Sequence, residues 1–407
     1  MTSQTCTLSN GLRIITLPSG SPVSYCGFAV NAGARDETLS EHGLAHFVEH
    51  TLFKGTAKRK TWHILNRMEN VGGELNAYTT KENTFLYTVF PDSELERAVE
   101  LLADLIANSV FPEKELVKER EVIIDEIESY QDSPAELIFD DFENLLFDQH
   151  PLGHNILGNK RSVRSFTAAS CRSFIDRFYT APNMVFFCMT DKPFRRVVYL
   201  SEKYFSQINA NNAVLQRHKP DDITPVNIVR KKKTHISHVL MGCRSFDIFH
   251  PQRFQLYLLN NILGGPGMNN RLNVSLREKH GLVYTVESNV SACTDTGTFS
   301  IYLGVAPENR EQAIELVNNE LNSLCNRKLS TLQLAAAIKQ AVGQIGVAYD
   351  NKESRFLGLG KMFLLCNTYE DVGVIISAIR KITAEQLLET ANNLLVTSNM
   401  TSLIYQH

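Results

Sequence analysis

The spacing of apolar residues divides the chain into strands and helices that recur in one order. Residues 5–32 read as strands: Asn10-Gly11 is a hairpin turn signal, and 12–16 and Val23–Val30 are rich in β-formers. Leu44, Phe47, Val48, Leu52 and Phe53 then recur at helical spacing and predict an apolar, buried helix. A second helix is expected from 61 to about 70, stopped by Gly72-Gly73. Two strands follow at 74–80 and 84–90, then helices near 93–109, 112–130 and 134–147. A loop around His150-Pro-Leu-Gly-His154 leads to a helix near 167–178, a strand at 183–189 and one more helix.

The stretch 210–224 is polar, with Pro220 and Pro225 at its end, and reads as a linker between domains at 1–209 and 225–407. The second half repeats the order of the first. Thr84-Phe85, Pro91 and Ala98-Val-Glu-Leu101 correspond to Thr298-Phe299, Pro307 and Ala313-Ile-Glu-Leu316, and Leu52-Phe-Lys-Gly55 to Ile262-Leu-Gly-Gly265. Strands followed by long helices, with antiparallel hairpins, predict an α+β class. Two homologous domains are expected, each a mostly antiparallel sheet covered by helices.

Length and charge narrow the function. At 407 residues the chain has ample apolar material for two domains, or one large one. A net charge of −3 with interspersed signs gives no bulk attraction for nucleic acid or an anionic membrane. The eight cysteines are scattered without a C-x-x-C pair, so they form neither a zinc ribbon nor a small disulfide scaffold. The N-terminal MTSQTCTLSNGLRIITLPSG lacks the charged and apolar regions of an export signal, and no apolar run reaches the length of a membrane span. A reducing, cytoplasmic setting is the expectation.

The chemistry is concentrated in His46-Phe-Val-Glu49-His50. Histidines four apart on a helix differ by only about 40° around its axis, so both imidazoles leave one face. Glu49 projects beside them. A divalent metal would find two nitrogen ligands there, with a carboxylate placed to take a proton from activated water; this is the H-x-x-E-H inversion of the H-E-x-x-H zinc helix. A catalytic zinc takes three protein ligands and leaves one position open. The helix beginning at Pro112 is the best source of the third, because Glu119, Val122, Ile123 and Glu126 fall on one stripe. Carboxylates in an apolar stripe need partners, and either Glu119 or Glu126 fits. Aligning the halves on their glycines places Leu256, Leu259 and Asn260 opposite His46, Glu49 and His50, so the second half reads as a metal-free copy.

At this point the chain resembles the pitrilysin-like inverzincin metallopeptidases, specifically their short processing-peptidase-like subgroup. The resemblance runs over nearly the whole chain. It rests on Thr7-Leu-Ser-Asn-Gly-Leu-Arg13, the segment Gly43–Thr56 around the His pair, Gly72-Gly-Glu-Leu-Asn76-Ala77-Tyr-Thr-Thr-Lys-Glu82 and Glu119-Arg-Glu-Val-Ile-Ile-Asp-Glu126-Ile. His150-Pro-Leu-Gly153 and Tyr179-x-x-Pro-Asn-Met184 add to it. It implies zinc-dependent endopeptidase activity, with one Zn ion per chain on His46, His50 and Glu126. Glu49 is then the general base and Glu119 an outer carboxylate that orients a ligand. It also makes the strand with Asn76 and Ala77 a sheet edge that receives peptide substrate by backbone pairing. From the second domain, Arg277 and Tyr284 resemble a pair that holds the substrate backbone and the developing oxyanion. Seen alone, Arg277 reads as a helix-surface residue and Tyr284 as a strand core residue. The Gly264–Gly267 loop matches a glycine-rich loop of the family only approximately, because Pro266 stiffens it. Longer relatives close four such domains as a clamshell around short or unfolded peptides. Two domains make half of one, which implies a homodimer. The alternative is a non-catalytic peptide-binding or scaffold subunit with a heteromeric partner.

Overall fold

A computed structural model describes residues 3–407. Its strands are β1 (Gln4–Thr7), β2 (Arg13–Leu17), β3 (Val23–Val30), β4 (Glu74–Thr79), β5 (Thr84–Pro91), β6 (Met184–Met189), β7 (Asn227–Lys231), β8 (Ser237–Ser245), β9 (Val283–Ala292), β10 (Gly297–Val305) and β11 (Thr401–Gln406). The helices of the first half are α1 (Leu44–Leu52), α2 (Thr61–Glu69), α3 (Leu95–Asn108), α4 (Glu113–Gln131), α5 (Pro134–Phe147), α6 (Lys160–Ser165), α7 (Ala168–Phe178) and α8 (Phe194–Phe205). Those of the second are α9 (Arg253–Gly264), α10 (Arg310–Asn326), α11 (Thr331–Tyr349), α12 (Lys352–Cys366), α13 (Val372–Arg380) and α14 (Ala384–Leu394). Asn273–Lys279 winds as a π-helix. Among the described residues no helix is long and apolar enough to cross a membrane.

The strands form two sheets, in the orders β1-β2-β6-β3-β5-β4 and β7-β11-β8-β10-β9. Only β2 with β6 and β7 with β11 run parallel; the remaining pairs are antiparallel. The order β2-β6-β3-β5-β4 is the order β7-β11-β8-β10-β9 shifted along the chain, so the repeat read from the Thr-Phe and Gly landmarks is a repeat of topology. The α+β expectation holds, with one sheet per copy. Central β6, Met-Val-Phe-Phe-Cys-Met, is buried at every position. A strand covered on both faces loses its alternation in this way.

Two compact units divide the chain differently from the linker. The first takes the chain up to Glu128, His154–Arg217 and Tyr349–Asp371; the second takes Ser129–Gly153, His218–Ala348 and Val372–His407. The difference arises because each sheet has two apolar faces. In the first unit Phe28, Leu86 and Phe90 pack with Leu44, Phe47 and Val48 of α1. The opposite face, with Ile15, Ala29, Phe85 and Phe187, is covered by Phe356, Leu359 and Phe363 of α12. Phe187 and Phe356 stack with centroids 4.4 Å apart. In the second unit Leu240, Tyr302, Leu403 and Tyr405 are covered by Ile138, Phe142 and Leu146 of α5. One helix of each half, α12 and α5, thus serves the sheet of the other.

Candidate metal centre

The entry to α1 is fixed by backbone before any ligand is placed. Gly43 precedes the helix at φ +94°, and a Cβ there would lie 2.6 Å from the Leu157 carbonyl oxygen, so only glycine fits. The first N–H groups of a helix need acceptors. Buried Glu37 supplies them: Oε2 accepts from Gly43 N at 2.9 Å and Oε1 from Ala45 N at 2.7 Å. Burial pushes the Glu37 pKa well above the usual carboxylate range, against the opposing pull of those two backbone bonds. Glu37→Ala should lower unfolding free energy by about 1–2 kcal/mol in denaturant titration, and Glu37→Gln less, since the amide keeps an acceptor. An unchanged midpoint in the alanine variant would remove this capping role.

On α1, His46 and Glu49 are buried and His50 is half-buried, their rings and carboxylate held by a helix whose other face packs in the core. The two imidazoles lie 4.5 Å apart between centroids. From α4, Glu126 brings Oε2 to 3.8 Å from His46 Nε2 and 3.9 Å from His50 Nε2. One ligand atom from each of the three residues lies within 4.8 Å of the others, the one such group among the described residues. Ligands of a tetrahedral zinc at about 2.0–2.2 Å sit roughly 3.3–3.6 Å apart, so each imidazole is within a few tenths of an ångström of the ligand spacing to Glu126. The donor chemistry also fits. Burial, then the neighbouring His50 charge, lowers the His46 pKa to about 3 and keeps its ring neutral, as metal ligation requires.

Outer contacts orient these groups. Glu119 Oε1 lies 3.4 Å from His50 Nδ1, and Oε2 pairs with Lys54 Nζ at 2.8 Å. Burial alone would lower the His50 pKa; the Glu119 contact and the Glu49 and Glu126 charges outweigh it and leave it raised. Thr79 Oγ1 donates to Glu49 Oε2 at 2.8 Å. Burial raises the Glu49 pKa, and the Thr79 bond offsets only part of that. Glu119→Ala should weaken zinc binding by about 10–100-fold while leaving all three ligands in place, measured by competition with a chromogenic chelator. Wild-type affinity would show that Glu119 orients nothing.

The structure thus brings together His46, Glu49, His50, Glu119 and Glu126. Asn76 and Ala77 lie on β4, which is the edge strand of its sheet. Arg277 and Tyr284 belong to the second unit, on the π-helix and at the start of β9. Tyr284 is 63 % exposed, so the plain reading of it as a strand core residue is corrected. The stripe on α4 is also narrower than its spacing suggests. Ile123 is buried, but Val122 is 49 % exposed, and Glu126 stands at the border of the buried face. Gly264–Gly267 lines a separate cavity of ≈ 330 Å³ with Asn260, the counterpart of His50. Sequence reasoning missed Glu37, Lys54 and Thr79. Lys54 follows His50 by four and was within reach of the same argument; Glu37 and Thr79 act across loops and strands and carry no local signal.

The arrangement defines a class: a duplicated α+β chain in which one copy carries an inverted His-x-x-Glu-His helix whose two histidines, with a distant glutamate, could hold a metal ion. Residues 13–160 match the model of the insulinase family, peptidase family M16, and residues 165–341 the model described as the peptidase M16 inactive domain. The metal cluster lies wholly within the first match. An uncharacterized zinc protease of Bacillus subtilis (strain 168) is 30 % identical over 98 % of this chain and 97 % of its own length. One from Mycobacterium leprae is 32 % identical over 96 % of this chain and 88 % of its own. A peptidase M16 inactive domain crystal structure from Pseudomonas fluorescens superposes with TM-score 0.93 at 20 % identity, covering 100 % of this chain and 98 % of that one. The chain belongs to peptidase family M16, the pitrilysin-like family.

Proposed function

We propose that this chain is a zinc-dependent endopeptidase acting on short or unfolded peptides. The observation that carries the proposal is the convergence of His46, His50 and Glu126 beside the Glu49 carboxylate. What one zinc ion held by those three side chains supplies is a water acidified towards neutrality and a polarised scissile carbonyl. Glu49 takes the water proton and later delivers it to the leaving amine. Its raised pKa suits that exchange, and the Thr79 hydroxyl holds the carboxylate in place through Oε2. Glu119 and Lys54 hold the His50 ring in its orientation.

Substrate pairs its backbone with the free edge of β4, so that Asn76 and Ala77 flank the scissile bond; such pairing gives affinity with little sequence preference. Arg277 holds the substrate backbone and Tyr284 donates to the developing oxyanion. Arg277→Ala and Tyr284→Phe should each lower kcat/KM at unchanged zinc content, and an unaltered kcat/KM in both would take them out of the mechanism. The active form is a homodimer, which sedimentation of the active species checks; a fully active monomer contradicts it. A non-catalytic peptide-binding subunit is the second reading, favoured by the inactive-domain description matched by residues 165–341. Zinc analysis combined with cleavage of an unstructured fluorogenic peptide, with and without chelator, decides between them. Bound zinc without chelator-sensitive cleavage would overturn the endopeptidase proposal.

A further inference from the structure

A second concentration of charge lies in the second unit. A cavity of ≈ 380 Å³ opens between the π-helical turn, the C-terminal end of α10 and the start of α11. Its wall carries four cations, Arg271, Lys279, Arg327 and Lys328, against one carboxylate, Glu320. Arg271 lies 3.7 Å from Glu320 and donates to Ser323 Oγ at 3.4 Å. Lys328 is paired with Glu385. Among the described residues the Lys279 and Arg327 side chains have no acidic partner, so two positive charges remain uncompensated in one concavity.

A merely solvated face would interleave its signs, because like charges gathered in a concavity repel one another. Here the unpaired cations stand with neutral donors. Ser275, 8 % exposed, and Ser323 bring hydroxyls. Gln333 accepts from Ser330 N through Oε1 at 2.9 Å, which leaves its NH2 group as a further donor. Only Val274 and Leu329 are apolar in the lining, which disfavours an apolar ligand. Ser275 and Lys279 enter the wall from the π-helical segment, a winding that recurs at functional sites. Guanidinium, ammonium and hydroxyl donors around a polar hollow match the oxygens of a tetrahedral anion.

We propose that this cavity is a binding site for a small, multiply charged oxyanion of the phosphate class. The proposal stands independently of the peptidase reading, because it uses no residue of the metal centre. The test is calorimetric titration of the full-length protein with inorganic phosphate and with pyrophosphate at low ionic strength. Saturable binding at one site is expected, with pyrophosphate the tighter ligand. The double variant K279Q/R327Q should bind at least about tenfold more weakly, since each cation contributes a charge-assisted bond. Both side chains are exposed and unpaired, so the variant should melt like the wild type without phosphate; Arg327→Lys, which keeps the charge, should retain most of the affinity. A phosphoserine peptide binding more tightly than phosphate assigns the phosphoryl group to a larger molecule, and one binding no more tightly assigns it to the free anion. No saturable binding up to about 10 mM phosphate would overturn the site. Undiminished affinity in the double variant would do so too, since the anion would then be bound elsewhere, the metal centre included.

Discussion

Glu49→Gln is expected to retain zinc and to lower turnover of an unstructured peptide by about 10²–10⁴-fold, the range associated with losing a positioned general acid–base. The substitution preserves size, and the glutamine Oε1 can still accept the Thr79 hydroxyl that holds Oε2 at 2.8 Å in the wild type. What it removes is the capacity to take and return a proton. Since His46, His50 and Glu126 are untouched, zinc content measured by atomic emission should equal that of the wild type. KM should change little. A Glu49→Gln protein with near-normal turnover would show that the base lies elsewhere. One that loses both zinc and turnover would show that Glu49 belongs to the ligand set.

Glu126→Ala should produce the complementary result. Removing Oε2 leaves only the two imidazoles of α1, and zinc affinity should fall by more than the ~10–100-fold expected for the outer Glu119, so that the ion is lost on dialysis. Folding should survive. Glu126 lies at the border of the buried face of α4 with its side chain 34 % exposed, and alanine is the best helix former, so metal-free stability should stay within about 0.5 kcal/mol of the wild type. Stoichiometric zinc in this variant would reject Glu126 as third ligand. The pair of variants separates holding the ion from moving the proton, which a single loss-of-activity mutant cannot do.

Much of the site was legible because its main part is local. The four-residue separation of His46 and His50 fixes their shared face through helix geometry alone, and the apolar residues between them bury that helix. The same period put Glu119 and Glu126 near one stripe of α4, but periodicity could not rank them. Their roles diverge by environment: Glu119 lies under Lys54 and beside His50 Nδ1, whereas Glu126 reaches both Nε2 atoms. The exposure of Val122 shows that the buried face of α4 runs to one side of the expected stripe, through Leu116, Glu119 and Ile123. Tyr284 misleads for a related reason. An aromatic residue in a β-rich run suits a core, yet here it points to solvent from an edge strand.

The sequence by itself determined the elements, their duplication and the paired-imidazole turn, since each follows from spacing over a few residues or from similarity between halves. Tertiary structure alone decided that α12 covers the first sheet and α5 the second, that Glu37 caps α1, and that Thr79 grips Glu49. Those contacts join residues far apart along the chain or on different elements. No periodicity records them; they depend on which apolar face is left uncovered and which buried polar atom needs a partner once the sheets have formed.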